Sequence, residues 1–241
     1  MIILYVALIV LLFNVWTLLQ IFARHWVFHG RLYRPHLLNL ALSWLPNIVL
    51  GVYLLVTSVV VLVAHAAWPA IITTVCFIPV WLLLLPNANY LITELNLNHR
   101  SAHDEPVPLW YDIISVLSLT LTGVLNAVSS IVVINATYVL VFYEHAAQLL
   151  RNIVHDPWFW VITAGSILLS SFGIYMGRYL RVNSWDAKHP LKLFAKVKRH
   201  LASENHVREA ALYTLFFSVF LFLIYLLFTA PAVALLMTLT G

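Results

Sequence analysis

Residues 108–150 decide the fold of this chain, and they read PLWYDIISVLSLTLTGVLNAVSSIVVINATYVLVFYEHAAQLL. The stretch is apolar for most of its length, but it contains Asp112, Asn126, Asn135 and Glu144. A membrane-spanning helix needs about 20 mostly apolar residues. The stretch is therefore long enough to cross a bilayer once or twice, and the number of spans in the chain depends on which of the two it does.

The composition of the chain indicates a membrane protein. Of its 241 residues, 63% are hydrophobic and 9% are charged, and the mean hydropathy is +0.93. A soluble domain carries about a quarter charged residues, so lipid must be the solvent for most of this surface. The net charge of +4 arises in loops, which favours a role in orientation over nucleic-acid binding. The single cysteine excludes an intrachain disulfide.

Five further apolar stretches are long enough to be spans, and they cover residues 1–22, 37–63, 68–86, 158–176 and 210–228. No basic segment precedes the first stretch and no small-residue cleavage site follows it. We therefore predict a retained span there and not a signal peptide. The pattern shows no repeat, so we predict one transmembrane helical domain over residues 1–241.

The distribution of basic residues decides how often residues 108–150 cross. With a single crossing, the loops at 24–36, 94–106 and 178–208 share one face and hold twelve of the 13 Lys and Arg residues. With two crossings, the best division is eight against five. Because basic residues accumulate in cytoplasmic loops, we predict six spans with both termini outside. Residues 131–150 are then a helical continuation along the outer surface or a re-entrant segment, and a seventh span is the alternative.

The basic loop at 178–208 contains a predicted amphipathic helix. Pro190, Phe194, Val197 and Leu201 share one helical face, and basic side chains occupy the rest. This pattern is typical of a helix that lies on the cytoplasmic leaflet and contacts anionic headgroups. The alternative is that the charges only enforce topology. The fold class is thus all-α, a polytopic helix bundle with a basic amphipathic cytoplasmic helix.

Three polar clusters are the candidate functional residues. In the first, Pro86 ends or kinks the third span, and a helix resuming there would place Asn87, Tyr90 and Glu94 on one face, with Asn89 on a neighbouring one. A helix break whose amides satisfy freed backbone groups is the structural alternative. Polar groups inside a membrane otherwise indicate function.

The second cluster is Trp110, Tyr111 and Asp112, after Pro106 and Pro108. The prolines are typical of a helix start, where the helix dipole stabilises the carboxylate of Asp112. Trp110 and Tyr111 are typical of an interfacial aromatic belt, so structure alone accounts for all three side chains. The third cluster is a basic and polar run after the fifth span. Its candidate site residues are Arg178, Arg181, Asn183 and Asp186.

The six-span topology places all three clusters on the cytoplasmic side. The carboxylates of Glu94, Asp112 and Asp186 are then within reach of Arg178 and Arg181. Such a network is either structural or a site for an anionic headgroup or phosphate.

Two histidine pairs spaced four residues apart are candidate metal or haem ligands. These pairs are His25 with His29 and His99 with His103. Interfacial histidines are ordinary, and no H-E-x-x-H, cysteine pair or phosphate-binding glycine loop is present, so we predict no cofactor and no metal.

The three clusters contain five short motifs: Pro-Asn-Ala-Asn-Tyr at 86–90, Thr-Glu at 93–94, Val-Pro-Leu-Trp-Tyr-Asp at 107–112, Gly-Ile-Tyr-Met-Gly-Arg-Tyr-Leu-Arg at 173–181 and Asn-Ser-Trp-Asp at 183–186. Together these motifs resemble those of a bacterial membrane family. That family is catalogued as domain of unknown function 1361. Its pattern has a second proline where this chain has Asn89 and an aspartate where it has Glu94. The resemblance implies that the three clusters form one site, and it implies no activity.

Three functions fit these observations. The first is a transport or solute-binding membrane subunit, coupled to an ion gradient or to a partner membrane or ATPase subunit. The second is a membrane-embedded enzyme acting on a lipid or polyprenyl phosphate, with the arginines holding the phosphate. The third is a structural or assembly subunit whose polar clusters are interhelical hydrogen bonds. All three place a multi-pass protein in the bacterial cell membrane.

Overall fold

The computed structural model describes residues 2–64, 68–96, 107–142, 155–180 and 189–240. Within these ranges the chain forms helices and no strand. The helices are α1 (Ile2–Trp26), α2 (Arg34–Ser43), α3 (Leu45–Ala64), α4 (Trp68–Asn89), a 3₁₀ helix (Tyr90–Asn96), α5 (Leu109–Phe142), α6 (Pro157–Leu180), α7 (Pro190–His200) and α8 (Glu204–Thr240).

Six stretches of the described helices are long and apolar enough to cross a membrane, which confirms the predicted six-span helical protein. They are Ala7–Trp26, Arg34–Val63, Ala70–Leu95, Leu109–Val139, Pro157–Leu180 and Glu204–Ala230. The second stretch contains both α2 and α3, which meet at Trp44. Pro46 causes this break, because its ring clashes with the preceding turn and it has no N–H to donate. Which face is cytoplasmic stays a prediction.

The described part of residues 108–150 forms a single long helix. α5 runs without interruption from Leu109 to Phe142. Pro108 precedes its first residue, and the carbonyl of Pro108 accepts the backbone N–H groups of Tyr111 (3.0 Å) and Asp112 (3.4 Å). The predicted helical continuation is thus confirmed for residues 131–142, and residues 143–150 lie outside the described part. Its position along the outer surface stays a prediction.

The chain divides into two compact units, Met1–Ser129 and Ser130–Gly241. In the first unit, the buried side chains of Ile21, Leu40, Leu91 and Leu119 form a core that joins α1, α2, the 3₁₀ helix and α5. Gly123 allows a close approach in this unit. A Cβ atom there would overlap the carbonyl oxygen of Ala88 and come within 2.7 Å of the Cβ of Leu91. The end of α4 therefore packs directly on the backbone of α5.

In the second unit, α6, α7 and α8 pack around the buried side chains of Tyr175, Met176, Leu180 and Ala210. The predicted amphipathic helix is present as α7. Val197 and Leu201 pack against this core. Phe194, on the same face, is instead 68% exposed, and the neighbouring Leu191 is 85% exposed. Contact of these two side chains with the cytoplasmic leaflet stays a prediction.

Candidate functional site

A buried ion pair is the first polar feature of the first unit. Nε of Arg24, in the last turn of α1, donates to Oδ1 of Asp112 at 3.1 Å, and the two side chains are 6% and 1% exposed. Nη1 of Arg24 also donates to the carbonyl of Arg31 at 2.6 Å. The dipole of α5 adds to the stabilisation of Asp112, because this carboxylate lies in the first turn of the helix.

Polar contacts continue from this ion pair along α1 and α5. The hydroxyls of Thr17 and Thr122 are 2.7 Å apart. Asn14 and Asn126 exchange amide hydrogen bonds of 2.8 and 3.1 Å. We call this set the α1–α5 polar ladder, and its members are Asn14, Thr17, Arg24, Asp112, Thr122 and Asn126. Its buried polar groups satisfy one another, as a helix pair in lipid requires.

The ladder also connects to the break between α2 and α3. Nδ2 of Asn126 donates to the hydroxyl of Ser43 at 2.8 Å, and Nδ2 of Asn47 donates to the carbonyl of Asn126 at 2.9 Å. The hydroxyl of Ser43 in turn donates to the carbonyl of Leu40 at 2.6 Å. The side chain of Asn126 thus joins α1, α2 and α5 at one point.

Arg24 was not among the predicted site residues, because a single arginine after an apolar run was interpreted only as the end of a span. One signal for it exists in the sequence. Asn14, Thr17, Gln20 and Arg24 recur every three or four residues, so they form a polar stripe on an otherwise apolar helix. A stripe of this kind needs a polar partner helix.

Glu94 is held by two side chains of α2. Its Oε1 accepts a hydrogen bond of 2.8 Å from Nδ2 of Asn39, and its Oε2 lies 3.4 Å from Nε2 of His36. The side chain of Glu94 is 16% exposed and that of His36 is 5% exposed. Neither α2 residue was predicted as a partner of Glu94.

The neighbouring residues of the first predicted cluster follow a different geometry from the expected one. α4 continues past Pro86 to Asn89, and the winding tightens into the 3₁₀ helix at Tyr90. The predicted common face of Asn87, Tyr90 and Glu94 assumed α-helical winding, which ends before Tyr90. Asn89 is fully buried, whereas Asn87 and Tyr90 are half-buried.

The second predicted cluster has one exposed and two buried members. Trp110 is 59% exposed, as an interfacial aromatic residue would be. The hydroxyl of the buried Tyr111 donates to the carbonyl of Gln20 at 2.6 Å. Tyr111 and Asp112 therefore both contact α1.

In the third predicted cluster, only Arg178 lies in the described part of the chain. It is exposed in the last turn of α6, in the second unit. Arg181, Asn183 and Asp186 lie outside the described residues. The expected pairing of the carboxylates with Arg178 and Arg181 stays a prediction.

The predicted histidine pair of His25 and His29 does not have helical spacing. α1 ends at Trp26, and His29 adopts a φ of 54°, in the left-handed region. Nδ1 of His25 instead donates to the carbonyl of Gly30 at 3.1 Å. His99 and His103 lie outside the described part. No group of three potential metal ligands occurs among the described residues, and the absence of a bound metal stays a prediction.

An open groove of about 620 Å³ lies in the second unit, where α6 ends, α7 ends and α8 begins. Its volume falls in the range of small-molecule sites. We call it the basic groove, because two cationic and two imidazole side chains line it. The lining residues are Tyr179, Leu180, Lys196, Arg199, His200, Ala202, Ser203 and His206.

Contacts within the second unit hold the two histidines in place. Nε2 of His200 lies 2.9 Å from the hydroxyl of Tyr175, and the rings of His200 and His206 stack with centroids 4.3 Å apart. Nδ1 of His206 donates to the carbonyl of His200 at 3.0 Å. A carbonyl accepts only, so Nδ1 of His206 carries the proton of this hydrogen bond.

The cations of the basic groove are available to a ligand. In the part of the chain that the structure describes, neither Lys196 nor Arg199 forms an ion pair. The carboxylate of Glu209 accepts from the hydroxyl of Tyr179, but Glu209 does not line the groove. The groove therefore presents hydrogen-bond donors and positive charge. Lys196 and Arg199 were predicted only as part of the basic face of α7.

Comparison with known proteins identifies the family of the chain. The model of the family described as "Protein of unknown function (DUF1361)" matches residues 38–227, so the chain belongs to that family and the resemblance is confirmed. No curated protein and no solved structure matches. The chain is a multi-pass membrane protein of a family whose function is unknown.

Proposed function

We propose that this member of a family of unknown function is a membrane-embedded binding protein for a phosphate-bearing lipid. The basic groove is the observation that carries the proposal. It combines Lys196 and Arg199 with two imidazoles and the hydroxyl of Ser203, and none of the described residues that line it is a carboxylate. Arginine and lysine side chains are the usual ligands of phosphate, arginine through its planar fork and lysine as a point charge.

The surroundings of the groove favour a lipid headgroup as the source of the phosphate. α7 supplies both cations of the lining, and its Leu191 and Phe194 are exposed apolar side chains. A helix with uncovered apolar side chains and a basic opposite face lies in the membrane interface. The groove then sits at the level of the headgroups, where an anionic lipid reaches it by lateral diffusion.

The test is a titration of the purified full chain in detergent with dihexanoyl phosphatidic acid, followed by calorimetry. Lys196→Ala and Arg199→Ala should each weaken binding about tenfold or more, because each removes a charge-assisted hydrogen bond. Lys198→Ala is the matched control: it removes the same charge from the same helix at a position that does not line the groove.

Equal affinity in the wild type and all three variants would refute the proposal. An equal loss in all three would show a general charge effect on α7 and would also refute a defined groove. Mass analysis of the lipid after incubation separates binding from turnover. Chemical change of the lipid would instead support a membrane-embedded enzyme that acts on a lipid or polyprenyl phosphate.

A transport subunit is the second candidate function, and the contacts of Glu94 favour it. An α-helix that tightens into a 3₁₀ helix next to a largely buried carboxylate is typical of a solute or ion path. Solute uptake by cells that depends on this chain should be lost in Glu94→Gln and retained in Lys198→Ala. Unchanged uptake of every solute in a broad panel would argue against transport.

A further inference from the structure

The two cations of the basic groove distinguish between the two kinds of phosphate that lipids carry. Lys196 and Arg199 are three residues apart on α7, so they share one face of the helix, and that face lines the groove. Both side chains are exposed. A diester phosphate carries a single negative charge, whereas a terminal monoester carries about 1.5–2 negative charges at neutral pH. The charge of the groove therefore matches a monoester better than a diester.

Each histidine of the groove has one ring nitrogen held by the protein and one that faces no described partner. Nε2 of His200 lies 2.9 Å from the hydroxyl of Tyr175, and Nδ1 of His206 donates to the carbonyl of His200 at 3.0 Å. Neither ring makes another hydrogen bond within the described ranges. Because Nδ1 of His206 carries a proton, Nε2 of the neutral His206 ring is an acceptor. An acceptor in the groove calls for a ligand that donates.

A phosphate monoester is a phosphate ligand that supplies such a donor. One of its terminal oxygens can carry a proton, and this P–OH donates to a nitrogen lone pair, whereas a diester has no P–OH. If the His206 ring is charged, Nε2 donates instead, and the added positive charge again favours the ligand with the larger negative charge. The hydroxyl of Ser203 both donates and accepts, so it suits either form. A monoester thus fits both forms of the ring.

We propose that the basic groove selects a terminal phosphate monoester, and that Nε2 of His206 binds its protonatable oxygen. This inference rests on the proposed phosphate-lipid binding function and narrows the ligand to one chemical class. Phosphatidic acid and polyprenyl phosphate belong to that class, and a soluble sugar or glycerol phosphate shares its chemistry. Phosphatidylglycerol and cardiolipin carry only diester phosphates and fall outside the class.

The test is a calorimetric comparison of four ligands on the purified full chain in detergent. Dihexanoyl phosphatidic acid should bind about tenfold or more tightly than dihexanoyl phosphatidylglycerol, because the diester loses a charge-assisted hydrogen bond. A short-chain cardiolipin carries two charges on two diester phosphates, so it separates total charge from the monoester group, and it should also bind more weakly than phosphatidic acid. Glycerol 3-phosphate separates a lipid from a soluble monoester and should bind more weakly than phosphatidic acid, since it has no acyl chains.

His206→Asn is the variant that tests the histidine. An asparagine amide keeps a donor close to the position of Nδ1, so the contact with the carbonyl of His200 is retained, while Nε2 is removed. The affinity for phosphatidic acid should fall about tenfold, and the affinity for phosphatidylglycerol should stay the same, because only the monoester uses Nε2. Lys198→Ala is the control, and it should keep the wild-type preference because Lys198 does not line the groove.

The outcomes separate this inference from the proposed function. Equal affinities for phosphatidic acid and phosphatidylglycerol, both still weakened by Arg199→Ala, would overturn the monoester selection and leave lipid binding supported. No binding of any of the four ligands would overturn both. Glycerol 3-phosphate binding as tightly as phosphatidic acid would support the monoester and refute the lipid. An unchanged preference in His206→Asn would overturn the role of His206. The wild-type series needs no variant, so a misfolded His206→Asn chain does not prevent the test.

Discussion

The α1–α5 polar ladder of the first unit and the basic groove of the second unit use their polar residues in opposite ways. In the first unit, the α1–α5 polar ladder is buried, and its groups are paired with one another. In the second unit, Lys196 and Arg199 are exposed along an open groove. Paired buried groups fix the geometry of a helix bundle, whereas exposed unpaired cations are available to a ligand. The difference indicates which polar residues support the structure and which ones face a partner.

The largest expected effect is on the ion pair of the ladder. Asp112→Ala removes the carboxylate 3.1 Å from Nε of a buried Arg24. We expect a loss of about 3–5 kcal/mol in the free energy of unfolding, because a buried guanidinium loses its counter-charge. Unfolding of the purified chain in mixed micelles measures it. The double variant Arg24→Met/Asp112→Leu should recover most of this loss, and a fully tolerated Asp112→Ala would show that the pair is not structural.

The next largest effect is on the close approach at Gly123. Gly123→Ala places a Cβ atom against the carbonyl of Ala88 and should destabilise the chain by about 1–3 kcal/mol. Gly165→Ala in α6 is the control, because a Cβ there meets nothing within 4 Å. Thermal unfolding should separate the two variants. Equal transition temperatures would mean that the first unit is no more tightly packed at this position than the second unit is at Gly165.

A smaller effect is expected from one rung of the ladder. Thr17→Val keeps the shape of the side chain but removes the 2.7 Å hydrogen bond to Thr122. Hydrogen bonds between membrane helices contribute about 0.6 kcal/mol on average, so we expect a loss of that size. The same unfolding assay in mixed micelles measures it, with Thr57→Val, at the α3–α4 contact to Thr73, as a comparison. A loss as large as that of Asp112→Ala would show that the ladder unfolds cooperatively.

The smallest expected effect on stability is in the second unit. Lys196→Ala should change the free energy of unfolding by no more than about 0.5 kcal/mol, since the side chain is exposed and makes no described ion pair. Its effect should appear only in phosphatidic acid binding. A marked loss of stability in this variant would contradict the contrast between the two units, because it would give Lys196 a structural role.

Hydropathy and charge were sufficient to predict the helical class, six spans and the amphipathic α7. These features depend on the average character of about 20 residues at a time, and local errors cancel over such a window. The uninterrupted helix from Leu109 to Phe142 could also be predicted from the sequence, because no proline or glycine pair occurs in it after Pro108.

The partners of individual polar groups were much harder to predict. Arg24 and Asp112 are 88 positions apart in the chain, and nothing local in the sequence connects them. The basic groove needs residues from the ends of α6 and α7 and the start of α8 at once. His200 and His206 stack because the chain turns between α7 and α8, and a helical wheel of either helix alone cannot show that. The pairing of polar side chains depends on tertiary packing, whereas the position of a span depends only on local hydropathy.

The separation of Arg24 from Asp112 has a consequence for biogenesis. α1 emerges from the ribosome before α5, and the carboxylate that pairs with its arginine is synthesised 88 residues later. At the usual rate of translation this takes roughly 4–18 s. Through that interval the polar stripe of α1 needs a hydrated or protein-lined environment, such as the lateral opening of an insertion channel. The ladder therefore requires that α1 enter the lipid together with α5 and not ahead of it.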